Sequence, residues 1–190
     1  MKNKKNYNLR LAEEMVTSVE EGLKDIFQKR SNQTYYKLDN ILKIFKEEKV
    51  STNHFNQSTG IGYDDLSREK IDNVFAKFFV AEKSAVRMQF VSGTHAISSV
   101  LFGVLRPGDL MLSVTGSPYD TLEEVIGIRG KGKGSLLDLG VKYQQIDIDD
   151  KKYPYEEKLI DFLKNNSCKL VFIQKSCGYS WRKSLTSNEI

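Results

Sequence analysis

Apolar positions along this chain follow two rhythms, and the change between them comes near residue 85. Before it the spacing is helical. Met15, Val19, Leu23 and Ile26 share one face of a helix expected over residues 9–27. Leu38, Ile41, Leu42 and Phe45 mark a second helix on the i, i+3, i+4, i+7 pattern. Two helices ahead of any strand predict an N-terminal arm, packed on its own domain or on a partner subunit. A loop over residues 51–65 follows, and the glycines on either side of Ile61 suggest a tight path. Ser67 is the expected N-cap of a third helix, whose Ile71, Val74, Phe75, Phe78 and Phe79 face a core. That aromatic stripe reads as packing, not as ligand contact.

From residue 85 strands and helices alternate. Residues 85–91 form an apolar run long enough for a first strand. Ala96, Ile97, Val100, Leu101, Val104 and Leu105 then recur at helical spacing, and Arg106-Pro107-Gly108-Asp109 is a turn. Further strands are expected over 110–114, 141–148 and 169–174, with helices over 119–128 and 155–163. Leu170-Val171-Phe172-Ile173 is apolar throughout, as in a strand buried on both faces. This alternation predicts a parallel sheet covered by helices, so the fold class is α/β. The expected division is residues 1–66 as helical arm and loop, and 67–190 as an α/β unit. Thr186-Ser187-Asn188-Glu189 is a capping box, which announces a helix at the very end of the chain.

Composition changes the picture mostly by exclusion. At 190 residues, 39% hydrophobic and 28% charged, the chain suits one soluble globular domain. Its net charge of +4 is dispersed apart from Lys2, Lys4 and Lys5, whereas a nucleic-acid face needs clustered basic residues. No apolar run approaches membrane-spanning length. Cys168 and Cys177 have no metal-ligand spacing and are too few for a disulfide scaffold. The expected location is cytoplasmic, with no nucleic-acid or membrane partner and no bound metal.

The chemistry that stands out is a strand–turn–helix junction at Ser92-Gly93-Thr94. The N-terminus of a helix leaves backbone N–H donors free and carries partial positive charge, so it attracts phosphate. Gly93 lets an anion approach the backbone, and the Ser92 and Thr94 hydroxyls can add hydrogen bonds. The plainer alternative is that Ser92 only caps the helix. Tyr119 follows the next strand, so it belongs on the same rim of a parallel sheet, where ligands gather. An aromatic face beside a phosphate cradle suits a flat phosphorylated cofactor. Residues 127–134, GIRGKGKG, nearly spell a P-loop, yet Gly134 stands where a Mg²⁺-binding hydroxyl is required, and the run follows a helix. A glycine loop near an anionic ligand or a partner chain is the better reading. His54 and His95 share no evident triad, and nothing marks Lys175 or Lys183 as activated.

Several blocks together resemble a known family. They are Phe55 through Gly60-Ile61-Gly62-Tyr63-Asp64-Asp65, Val91-Ser92-Gly93-Thr94-His95-Ala96-Ile97, and Leu105-Arg106-Pro107-Gly108-Asp109. To these add Thr115 through Gly130, and Gly178-Tyr179-Ser180-Trp181-Arg182. The chain resembles, over nearly its whole length, the bacterial aluminium resistance proteins. These are a branch of the cystathionine and methionine gamma-lyase-like enzymes that use pyridoxal 5'-phosphate.

The resemblance implies a type I aminotransferase-like fold, with residues 67–190 as the first half of its cofactor-binding domain. It implies a homo-oligomer with active sites at subunit interfaces. Gly93 and Thr94 would bind the cofactor phosphate with Ser92 beside them, and Tyr119 would stack on the pyridine ring. Tyr63 would reach the phosphate of a neighbouring subunit, although Asp64-Asp65 replaces the Ser-Arg of better-known relatives. Ser176 is a further contact for ring or substrate. The family's aspartate for the pyridine nitrogen and its Schiff-base lysine would both fall beyond residue 190. Cys177 and Lys183 stand where Arg and Pro are expected. The expected function is therefore a carbon–sulfur lyase-like protein acting on a sulfur amino acid, here a truncated form inactive by itself. The alternative is a non-catalytic remnant or interaction module pairing through its N-terminal helices. In the family's sheet the first strand pairs with a late one, so residues 85–91 are expected to lack neighbours here. Lost pairing and lost core together should exceed the ~5–15 kcal/mol of a typical domain and favour aggregation.

Overall fold

The two expected N-terminal helices are one. In the structure, a computed structural model, residues 2–57, 65–130, 132–148, 155–176, 179 and 181–190 are described. Helix α1 spans Lys2–Glu47 without interruption. The stretch between its two apolar clusters, residues 28–37, holds no Gly or Pro. It carries its own i,i+4 bonds, Gln28 to Asn32 at 3.0 Å and Thr34 Oγ1 to the Arg30 carbonyl at 3.0 Å. Nothing there stops a helix. What stops it is Lys49, in the left-handed region at φ 52°, with the Val50 N–H reaching back to the Phe45 carbonyl at 2.9 Å.

Two compact units follow from the chain's own contacts, Met1–Met88 and Gln89–Ile190. In the first, α2 spans Leu66–Phe78 and its N-cap is Asp65, whose carboxylate accepts from the Arg68 N–H at 3.0 Å. Ser67, the expected cap, instead lies inside the first turn and donates to the His54 carbonyl at 2.7 Å. Helix α2 packs on the end of α1 through buried Ile44 and Val74. The Glu48 carboxylate takes Lys77 Nζ at 2.7 Å and Lys70 Nζ at 3.4 Å. The Lys77 ammonium, hydrogen-bonded to it, holds Glu48 below the usual carboxylate range.

Residues 85–91 form no strand. No described strand pairs with them, so ladder hydrogen bonding has no partner there. Met88 and Val91 are left 89% and 81% exposed.

In the second unit α3 (Gly93–Val104) leads to β1 (Leu110–Ser113), α4 (Asp120–Ile126), β2 (Lys142–Gln145), α5 (Tyr155–Asn165) and β3 (Leu170–Phe172). The strands make a parallel sheet in the order β2-β1-β3. Each crossover carries one helix, as parallel pairing requires. Central β1 is the best-buried element, with Met111, Leu112 and Ser113 almost wholly covered. Leu101 from α3 and its C-cap Leu105, Ile126 from α4, Leu136 and Val141 close the core with Met111, and Tyr143, Leu170 and Phe172 pack against it. Burial pushes the Tyr143 phenol up to about 12.

The last strand departs from expectation. It is one of the two edges of the described sheet, and Val171 and Ile173 are 45% and 44% exposed, so it is covered on one face, not two. At the chain's end the capping box is present: Glu189 accepts from the Thr186 N–H at 2.7 Å and its hydroxyl at 2.9 Å. It heads a single 3-10 turn, Ser187–Glu189. Those bonds, the backbone one foremost, and the Lys183 ammonium pull Glu189 down to about 2. Among the described residues no helix is long and apolar enough to cross a membrane.

Candidate functional site

The N-terminus of α3 is built as its sequence suggests. Ser92 is extended, at φ −158° and ψ 164°, and its hydroxyl accepts from the His95 N–H at 3.1 Å. Its carbonyl takes the Ala96 N–H at 3.1 Å. The Ser92 oxygen is therefore a cap first, and any phosphate contact is an addition to that role. Among the described residues no acceptor meets the N–H groups of Gly93 and Thr94. A side chain added at Gly93 would meet no atom within 4 Å. Two donors at the positive end of a twelve-residue helix thus have no acceptor among the described residues, an arrangement that can hold a phosphate.

Thr94 joins this terminus to the next one. Its hydroxyl lies 2.7 Å from that of Thr121, in the first turn of α4. Tyr119 is the N-cap residue of α4, half-buried, with its carbonyl accepting from Leu122 at 2.8 Å. The structure so places Thr94 and Tyr119 on neighbouring helix starts beyond the C-terminal end of β1, the rim where parallel sheets take ligands. Helix α4 ends at Gly127, at φ 101°. A Cβ there would collide with the Ser135 side chain, whose Cβ lies 2.9 Å away.

A residue absent from the expected set organises the rim. Gln174, just past β3, donates its N–H to Thr115 Oγ1 at 2.9 Å and accepts the Tyr119 N–H on its Oε1 at 3.0 Å. Its Nε2 donates to the Ser176 carbonyl at 2.7 Å, and its own carbonyl takes Arg182 Nη2 at 3.0 Å. The signal was available in sequence: the first polar residue after the apolar run Leu170–Ile173, at the C-terminal end of a strand. Ser176 is exposed and reaches this network through its backbone, not its hydroxyl. Tyr179 stacks on Tyr119, ring centres 5.8 Å apart and planes at 26°. It covers one face of the ring expected to meet a pyridine. Tyr63 lies outside the described residues.

The other candidates are otherwise engaged. His54 Nδ1 accepts the Ser51 N–H at 3.0 Å, and His95 makes an edge contact with Phe90 at 5.6 Å. In the glycine loop the N–H groups of Gly127, Ile128 and Arg129 all fold back onto the Glu123 carbonyl, and Gly134 donates to Asp138 at 2.7 Å. Those donors do not converge on an outside anion. Arg129 stays 3.7 Å from Asp120 and 3.8 Å from Glu123. Among the described residues no group of three or more acidic, His or Cys side chains could hold a metal.

Comparison with known proteins shows what the chain as a whole is similar to. A family model described as methionine gamma-lyase matches residues 12–190. The protein YnbB of Bacillus subtilis is 45% identical over 152 residues, 79% of this chain and 36% of that one. A solved Clostridium acetobutylicum protein described as involved in aluminum resistance is 44% identical, with a TM-score of 0.81 over 87% of this chain and 39% of its own. A carbon-sulfur lyase involved in aluminum resistance from Clostridium novyi gives 41% and 0.80, over 87% and 39%. The chain spans well under half the length of these relatives.

Proposed function

This chain belongs to the methionine gamma-lyase family, and we propose that it carries the phosphate- and ring-binding part of a pyridoxal 5'-phosphate-dependent carbon–sulfur lyase. The carrying observation is the pair of N–H groups at Gly93 and Thr94, without an acceptor among the described residues, on the rim that also presents Tyr119. The residues present fit the group. Gly93 and Thr94 would donate to its phosphate, and the Thr94 hydroxyl, oriented by Thr121, would add a third bond. Tyr119 would offer its ring to the pyridine, with Gln174 fixing the backbone from which that ring projects. Tyr179 has to leave the face it covers before a pyridine takes that face. When bound, the cofactor supplies an electron sink for the amino acid's Cα, which lets a sulfur substituent depart. The proposed substrate class is a sulfur-containing amino acid, a reading supported by a relative described as a carbon-sulfur lyase.

The chain by itself is proposed to bind without turning over, since the family's Schiff-base lysine has no counterpart assigned within residues 1–190. A second reading, an interaction module pairing through its N-terminal helix, is favoured by the exposed apolar residues along α1. The cofactor reading is tested by equilibrium dialysis with 4'-deoxypyridoxine phosphate, which keeps ring and phosphate but cannot form imines. Gly93→Asp meets no steric obstacle and sets a carboxylate against the phosphate. We expect saturable binding that weakens at least about tenfold in Gly93→Asp, roughly 1.4 kcal/mol. Equal binding by both proteins would remove the cradle from the proposal, and thiol release from a sulfur amino acid by the chain alone would remove its inactivity.

A further inference from the structure

We infer that Gln174 is a positioning residue for ring recognition on this rim: it sets the Tyr119 platform and leaves the phosphate cradle alone. This rests on the cofactor reading above and says which residue governs which half of that ligand. The N–H, the carbonyl, Oε1 and Nε2 of Gln174 are all engaged, and together they close two segments of chain. The first runs from Thr115 to Tyr119. The Gln174 N–H donates to Thr115 Oγ1 at its start, at 2.9 Å, and Oε1 accepts the Tyr119 N–H at its end, at 3.0 Å. The second runs from Ser176 to Arg182. Nε2 donates to the Ser176 carbonyl at 2.7 Å, and the Gln174 carbonyl accepts from Arg182 Nη2 at 3.0 Å. Each segment carries one ring, Tyr119 and Tyr179, and these two rings stack.

The start of the first segment is anchored in the core. Thr115 is buried, Ser113 Oγ donates to the Gly116 carbonyl at 2.6 Å, and the Gly116 N–H reaches the Ile146 carbonyl at 2.9 Å. Its end is different. Tyr119 is the N-cap of α4, where a backbone N–H has no acceptor within its own helix, and the acceptor comes from 55 positions along the chain. The Tyr119 N–H can only donate and the Ser176 carbonyl can only accept, so the amide must accept at one end and donate at the other. A carboxylate accepts only, and asparagine is one methylene shorter.

The cradle is built by other residues. Ser92 caps α3 through the His95 N–H at 3.1 Å, and the Thr94 hydroxyl is tied to that of Thr121 at 2.7 Å. None of the four Gln174 hydrogen bonds goes to α3. Ring and phosphate recognition are therefore separable, and a change at Gln174 moves the first without the second.

Two variants of the full chain test this. Gln174→Met keeps the side chain's length and both backbone bonds, and removes both bonds of the amide. Gln174→Glu keeps an acceptor for Tyr119 and loses the donor to Ser176. Each protein is titrated with 4'-deoxypyridoxine phosphate by equilibrium dialysis, and with inorganic phosphate followed by the Gly93 and Thr94 amide shifts. The readout is the ratio of the two affinities, in which a general charge effect on phosphate cancels. Gln174→Met should lower that ratio about tenfold while phosphate affinity changes less than about twofold. Gln174→Glu should bring the ratio back to within about threefold of wild type, and Tyr119 amide exchange should quicken only in Gln174→Met. A ratio unchanged in Gln174→Met overturns the assignment and leaves the cofactor reading standing. Equal weakening of both probes also overturns it, since Gln174 would then support the fold and not the ring. A ratio that Gln174→Glu does not restore overturns the role of the acceptor. A wild-type chain that binds neither probe is a different result, and it overturns the cofactor reading together with this assignment.

Discussion

Two short apolar runs in this molecule are held by different forces. Leu110–Ser113 is paired in register on both sides, to β2 through Leu110–Lys142 and to β3 through Met111–Leu170, and its side chains sit in the core. Residues 84–87 have no ladder. They are pinned by one residue of α2, Asp72. Its carboxylate takes Arg87 Nη1 and Nη2 and the Val86 N–H, each at 2.7 Å, and its carbonyl takes Ser84 Oγ at 2.7 Å. The difference teaches that an apolar run is not yet a strand. Pairing satisfies every backbone group along the run, whereas a single carboxylate fixes a point and leaves the flanking Met88 and Val91 in solvent.

The largest effect belongs to the paired run. Leu112 is fully buried on the central strand, so Leu112→Ala removes transfer free energy and leaves a cavity. The expected loss is about 2–5 kcal/mol, read as a fall in the urea midpoint of the second unit. A loss under about 0.5 kcal/mol would mean the core does not depend on β1, and the comparison fails at its strong end.

An intermediate effect belongs to Asp72. Asp72→Ala strips the guanidinium and the Val86 N–H of their acceptor together, and hydrogen bonds to charged groups contribute about 1.5–3 kcal/mol. Amide exchange at Val86 should speed up while exchange in β1 stays slow. The Arg87 guanidinium, hydrogen-bonded to it, holds the Asp72 carboxyl below its ordinary range. With the folded pKa below the unfolded one, the pin's stabilisation is complete above the ordinary aspartate range. It is lost as pH falls through the lowered folded value. Acid should therefore free residues 84–87, and Val86 exchange that ignores pH in that window would assign the pin elsewhere.

How far the sequence carries follows the same line. The α3 cap, the start of α4 at Tyr119, the positions of the later strands along the chain and the terminal capping box were all legible, because each is set by residues within a few positions of one another. The residue-85 strand was not, because a strand depends on neighbours that periodicity cannot supply. The outer exposure of Val171 was missed for a related reason: four apolar residues in a row look the same at an edge as in the middle of a sheet. One continuous α1 replaced two helices since apolar spacing reports faces, not breaks, and nothing in residues 28–37 breaks a helix. Gln174 went unassigned at the polar end of an apolar run, although its backbone N–H holds Thr115 and its side-chain amide joins Tyr119 and Ser176 on one rim. Tyr179 was legible as part of a motif but not as the ring covering Tyr119, which is a contact across sixty positions of chain.

The smallest effect should come from Met88, in the turn that follows the Asp72 pin. Its side chain is 89% exposed, so almost no apolar area leaves solvent when the chain folds, and Met88→Ser has little transfer free energy to lose. The expected change in stability is within about 0.5 kcal/mol, the range of surface substitutions away from special features. Measured beside Leu112→Ala in the same urea series, it sets the weak end of the comparison. A loss above about 1 kcal/mol would mean that Met88 is covered in solution. The run would then have found the neighbour it lacks within the chain, and it would be a strand completed by association.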